Sequence, residues 1–132
     1  MNQYHFFHLE LLKQTYNLLI SYPPFNSEEL MPQDEEFLDS FNNLIQLGDE
    51  YTQDYIESGQ TFCINWVRGY SQLTPILPRD LLWFFSGDCL HYMPDEEIMQ
   101  FQQLDELRYE AESSAIEFDY AKIRNEFLKL TV

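Results

Sequence analysis

Apolar positions recur every three or four residues through most of this chain, and no stretch shows the two-residue alternation of a half-buried strand. In residues 4–21, Phe7, Leu11, Leu12, Leu18 and Leu19 keep helical spacing and predict a first helix. Tyr22-Pro23-Pro24 stops it, because a residue before proline avoids the helical region. A connector follows, with one short turn opened by Ser27. Pro32 then opens a second helix, with Asp34, Glu35 and Glu36 in the first turn, where negative charge suits the helix dipole.

Phe37, Phe41, Leu44 and Ile45 hold one face as far as Gly48. Gly48 reads as a break, with Asp49 capping a third helix that runs to about Gly69. Ser58-Gly59 is the alternative break. Ile56, Cys63, Trp66, Val67 and Tyr70 keep the period across this segment. Residues 71–77 contain Thr74-Pro75 and read as a loop.

The densest apolar run is Leu81, Leu82, Trp83, Phe84 and Phe85. It falls in a fourth helix, 79–86, which is apolar all round and so expected to be buried on all sides. Leu81, Trp83 and Phe84 are its expected core residues. Asp80 sits in its first turn and Gly87 ends it in the left-handed conformation. A connector, 88–93, leads to a fifth helix opened by Pro94 and running to about Ala115, with Ser113-Ser114 as a possible interruption. A sixth helix covers 118–130, and its Lys122, Arg124 and Lys129 suit the negative C-terminal end of the dipole. The pattern predicts one all-α domain, 1–132, a bundle of five or six helices.

Composition narrows this further. An aromatic content of 17% in 132 residues excludes a disordered chain. No apolar run approaches the length of a membrane span, and MNQYHFFHLELLK lacks the basic leader of a signal peptide. A cytoplasmic protein is the expectation. Cys63 and Cys89 then read as free thiols.

Charge changes the picture most. Asp and Glu number 23 against 7 Lys and Arg, for a net charge of −16. Such a chain is repelled by nucleic acid and by anionic membranes, and it favours basic protein partners. The candidate partner-binding residues are Asp34, Glu35, Glu36 and Asp39, followed by Asp49, Glu50, Asp54 and Glu57. A solvated acidic surface that serves only solubility has the same composition. Carboxylates three or four apart on a helix lie about 5–6 Å from one another, comparable with phosphates along a strand. A nucleic-acid mimic that inhibits a basic protein is therefore the sharpest form of this reading. Tyr51, Tyr55, Tyr70, Tyr92, Tyr109 and Tyr120 stand beside carboxylates; an exposed aromatic stripe of that kind suits a protein interface or a homodimer.

One other stretch carries candidate chemistry. Asp88, Cys89 and His91, beside the Trp83 helix, form the alternative site, for a small ligand or a metal. Cys and His suit zinc, with His5 and His8 as further ligands on one helix face. Their spacing matches no zinc motif. No Glu-x-x-His pair supports a di-iron centre, and no EF-hand loop occurs. The sequence thus points to a non-enzymatic acidic interaction module, with no cofactor and no metal expected.

Overall fold

The computed structural model describes residues 2–114 and 117–131, the last three of these as backbone alone. Among them the chain is all-helical, with six α-helices and two 3-10 helices. In order these are α1 (Gln3–Leu19), α2 (Pro32–Glu50), α3 (Tyr55–Gly69), a 3-10 helix (Ser71–Ile76), α4 (Arg79–Phe85), a second 3-10 helix (Gly87–Tyr92), α5 (Asp95–Ser113) and α6 (Tyr120–Thr131). No described helix is long and apolar enough to cross a membrane.

The two 3-10 helices replace an expected loop and an expected connector. Each must carry one side chain into the core, Leu73 in the first and Cys89 in the second. Tight i to i+3 bonds satisfy the backbone while it does so. Leu73 N donates to Tyr70 O at 2.9 Å, and Cys89 N to Ser86 O at 3.2 Å.

The boundary between α2 and α3 also differs from expectation. Gly48 does not break α2; the helix continues to Glu50 and ends on Tyr51 in the left-handed conformation, φ 57° and ψ 46°. Asp49 lies inside α2, and the N-cap of α3 is Asp54. Gly48 is instead a point of close approach. A Cβ there would stand 2.7 Å from Leu9 Cδ1 and 2.9 Å from the Tyr55 ring. Gly59 serves the same purpose inside α3, where a Cβ would fall 2.1 Å from the Phe85 ring.

α3 is the central helix, packed against α2, α4 and both 3-10 helices, while α1 packs on α2, α4 and α6. Trp66 of α3 is fully buried and its Nε1 donates to Leu73 O at 3.2 Å. Of the apolar run in α4, Leu81, Leu82 and Phe85 are fully buried. Trp83 and Phe84 are only half-buried, so the helix is not enclosed on all sides. Trp83 stacks on Phe101 and its indole N–H donates to Asp105 Oδ2 at 3.0 Å. A margin position gives its polar edge a partner that the apolar centre would not.

The left-handed turn after α4 is shared by Ser86, φ 54°, and Gly87, φ 61°. α5 closes at Ser113, with Ser114 as its cap; its expected end at Ala115 lies outside the described residues. Phe118 precedes α6 rather than opening it. Arg124 sits in the middle of α6 and Lys122 in its first turn. Neither is placed to complement the C-terminal dipole, and the side chain of Lys129 lies outside the described residues.

Candidate functional site

Seven of the eight carboxylates expected to meet a partner are exposed: Glu35, Glu36, Asp39, Asp49, Glu50, Asp54 and Glu57. Asp34 is the exception. It is 3% exposed and accepts a 2.6 Å hydrogen bond from the Tyr70 hydroxyl. That bond ties the start of α2 to the end of α3. Burial, then the Asp34 carboxylate, push the Tyr70 hydroxyl well above its usual range. Asp49 is engaged by Lys13 Nζ at 2.9 Å, and Glu50 by Gln46 Nε2 at 3.1 Å.

The antiparallel pair α2 and α3 encloses a groove. One section, of about 350 Å³, has Phe37, Leu44 and Phe62 below Ser40, Asn43, Ser58, Thr61 and Asn65, with Glu57 at one end. A second section, of about 310 Å³, continues past Ser40 and Asn65 to Glu36 and Tyr70 at the other. Among the described residues, no Lys, Arg or His lines either section. The sequence explains this, since no Lys or Arg occurs between Lys13 and Arg68. The groove is therefore apolar at its floor, lined with short neutral polar side chains, and anionic at both ends.

The stretch 88–91 is arranged differently. Asp88 and His91 are exposed, whereas Cys89 is fully buried. Its Sγ lies 3.6 Å from Gln60 O. Cys89 and the buried Cys63 are free thiols, and each is the largest influence on the ionisation of the other, with Cys63 pushed well up. Trp83 has given its N–H to Asp105. Asp88, Cys89, His91 and Trp83 thus occupy distinct environments. His5 and His8 each use one ring nitrogen on a backbone carbonyl, His5 Nε2 on Gly48 O at 3.0 Å and His8 Nδ1 on Tyr4 O at 2.7 Å. No three metal-ligating side chains gather among the described residues.

The tyrosines do not form one stripe. Tyr55 and Tyr120 belong to the core, Tyr70 and Tyr92 are half-buried, and Tyr51 and Tyr109 are exposed.

A polar centre that sequence reasoning missed lies between α1, α4, α5 and α6. His8 is fully buried and stacks on Phe84 with ring centroids 4.5 Å apart. A carbonyl can only accept, so Nδ1 carries the proton that Tyr4 O receives. Nε2 is then left buried with no hydrogen-bond partner among the described residues. Burial lowers the His8 pKa to about 4, against the opposing pull of the Tyr4 carbonyl and Asp80. The buried Tyr120 hydroxyl also has no partner among the described residues, and burial raises its pKa. Around these neutral groups stand two charge pairs. Asp80 is gripped by Arg124 from α6. Asp105, pushed up by burial, faces Arg108 at 3.6 Å, and the Arg108 guanidinium lies 3.9 Å from the centre of the Tyr4 ring. The only sequence signal was the pair His5 and His8 on a helix otherwise rich in apolar residues.

The family whose sequence model matches this chain, over residues 1–132, is described as PA2817-like, and the chain belongs to it. No curated protein and no solved structure matches the chain significantly.

Proposed function

We propose that this member of the PA2817-like family is a non-enzymatic, acidic interaction module whose α2–α3 face receives a basic segment of a partner protein. The observation that carries the reading is the groove with Glu36 at one end and Glu57 at the other, and no cationic side chain along it among the described residues. A Lys- or Arg-bearing segment laid in it sets charge against charge at the ends and hydrogen-bonding groups against Ser40, Asn43, Thr61 and Asn65. Exposed Glu35, Asp39, Asp54 and Glu50 extend the same field beyond the groove. Asp34 has no part in this, because its carboxylate is spent on Tyr70.

The sharper form is a nucleic-acid mimic that inhibits a basic, nucleic-acid-binding protein. Its test is competition. The partner is recovered from native lysate on immobilised protein and identified by mass spectrometry, and then challenged with duplex DNA. Displacement by DNA at matched ionic strength supports mimicry. Simultaneous binding of DNA and this chain to the partner contradicts mimicry and leaves a general basic-segment receptor.

A further inference from the structure

The second 3-10 helix lies directly on α3. Its backbone comes close at Gly87, where a Cβ would stand 2.8 Å from Gln60 Nε2. Gln60 Nε2 in turn donates to Phe85 O at 2.8 Å. Cys89 is the residue that this short helix turns inward. It is fully buried, whereas Gly87, Asp88 and His91 are exposed and Leu90 and Tyr92 half-buried. Its S–H donates to Gln60 O at 3.6 Å.

Cys63 stands one turn after Gln60 in α3 and is also fully buried. A helical side chain leans back over the preceding turn. The Cys63 thiol is thus directed to the place beside Gln60 O that Cys89 Sγ occupies. The two thiols are hydrogen-bonded to each other, and that bond is the largest influence on both, pushing Cys63 up and Cys89 down. Cys63 is therefore the donor, and Cys89 is the sulfur that more readily becomes a thiolate. Both are free thiols. The chain has two cysteines, so the pair is complete without a second chain.

A thiolate poised against a second thiol is the arrangement that oxidises to a disulfide. We propose that Cys63 and Cys89 form an oxidative modification site, at which a peroxide joins them in one intramolecular disulfide that fastens the second 3-10 helix to α3. Burial makes local opening of this six-residue helix the entry step. The Cys89 thiolate attacks one peroxide oxygen and the O–O bond breaks. Hydroxide leaves and takes up the proton that Cys89 lost, giving water and a sulfenic acid on Cys89. Cys63 Sγ then attacks the Cys89 sulfur. The S–S bond forms, the S–O bond breaks, and the hydroxyl departs with the Cys63 proton as a second water. Two thiols have given up two electrons, and the peroxide has been reduced to two waters. The pair is separate from the α2–α3 groove, and its test needs no partner protein.

The probe is hydrogen peroxide, applied to the whole folded protein and then removed. Thiols are counted in denaturant, and the product is weighed and digested without reductant for mass spectrometry. Both thiols are expected to disappear together, with the mass lower by two hydrogens and a cross-linked peptide joining Cys63 to Cys89. Dithiothreitol should restore both thiols. The cross-link constrains the unfolded chain, so the oxidised protein should melt about 5–10 °C higher until it is reduced again. In Cys63→Ser the reaction should stop at a sulfenic acid on Cys89, trapped by dimedone. In Cys89→Ser the thiol left at position 63 should react at least about ten-fold more slowly than the wild type. Should either variant fail to fold, the wild-type mass, thiol count and digest give the reading. Both thiols intact after overnight exposure to millimolar peroxide overturn the proposal. So does a covalent dimer, or a sulfinic acid on one cysteine with the other still a thiol.

Discussion

Arg124 grips Asp80 with two hydrogen bonds, Nε to Oδ1 at 2.9 Å and Nη2 to Oδ2 at 2.6 Å, and so joins α6 to α4 across 44 residues of chain. The carboxylate end is the buried one, with the Asp80 side chain 4% exposed against 27% for Arg124. A planar guanidinium meeting a carboxylate in this paired way is among the strongest protein hydrogen-bonding arrangements. It also closes the polar centre around His8 and Tyr120.

Arg124→Met should therefore destabilise the protein by about 3–5 kcal/mol, because it leaves a buried carboxylate without its counter-charge. Adding Asp80→Asn to that variant should restore part of the loss. Urea unfolding of the wild type, the single variant and the double variant measures both effects. A loss under about 1 kcal/mol in Arg124→Met would show that water replaces the arginine at no great expense.

His8 makes a separate contribution that depends on pH. The folded protein holds it neutral with a pKa of about 4, whereas the ordinary value is 6.5. The unfolded chain thus takes up a proton first as pH falls. The stability from His8 is fully present above about pH 6.5 and is lost as pH drops towards 4. The full difference is worth about 3 kcal/mol. Comparing unfolding free energies at pH 7 and pH 4.5 for wild type and His8→Leu isolates it. The wild type should lose about 2 kcal/mol more than the variant over that interval. Equal losses would mean that another group governs acid sensitivity.

Gly59→Ala tests the close approach of α3 to α4. Alanine favours a helix over glycine by about 1 kcal/mol, but its Cβ would stand 2.1 Å from the ring of the fully buried Phe85. Overpacking of that kind costs about 1–3 kcal/mol, so a lowered melting temperature is expected. Gly69→Ala, where a Cβ meets nothing within 4 Å, serves as the control and should be neutral or stabilising. A Gly59→Ala protein as stable as its control would contradict this account of α3.

These same residues mark what could be read from the sequence. Pro32 and Pro94, each followed by acids, located the starts of α2 and α5 within a residue. Helical spacing in the apolar residues was sufficient for an all-helical fold. Gly48 and Gly59 were legible only as glycines. A glycine that ends a helix and one that admits a neighbouring ring are the same letter, and only the partner, Leu9, Tyr55 or Phe85, tells them apart. Tryptophan burial was misplaced for a similar reason. Trp83 stands in the denser apolar run, yet Trp66 occupies the centre because α3 is the helix that all its neighbours share.

Charge was legible as composition but not as position. Asp34 and Asp80 are buried because Tyr70 and Arg124, distant in sequence, arrive to meet them. No local pattern announces such partners. The exposed carboxylates, by contrast, follow from helix phase once Phe37, Phe41 and Leu44 fix the inward face of α2.

The central claim is that the α2–α3 face recognises a basic partner, and the most direct measurement is its association rate across ionic strength. Glu36, Asp39 and Glu57 are the residues to reverse to Lys together, since all three are exposed and none is paired with a cation among the described residues. Asp49 is unsuitable because Lys13 already neutralises it. Steering by such charges is screened over a Debye length of about 8 Å at physiological salt. With the partner recovered from lysate, the wild-type rate should fall roughly ten-fold or more from low to high salt. The triple variant should bind at least about ten-fold more slowly at low salt, with its melting temperature unchanged or raised by relief of self-repulsion. A wild-type rate indifferent to salt, and matched by the triple variant, would contradict the claim and reduce the acidic face to a solvated surface.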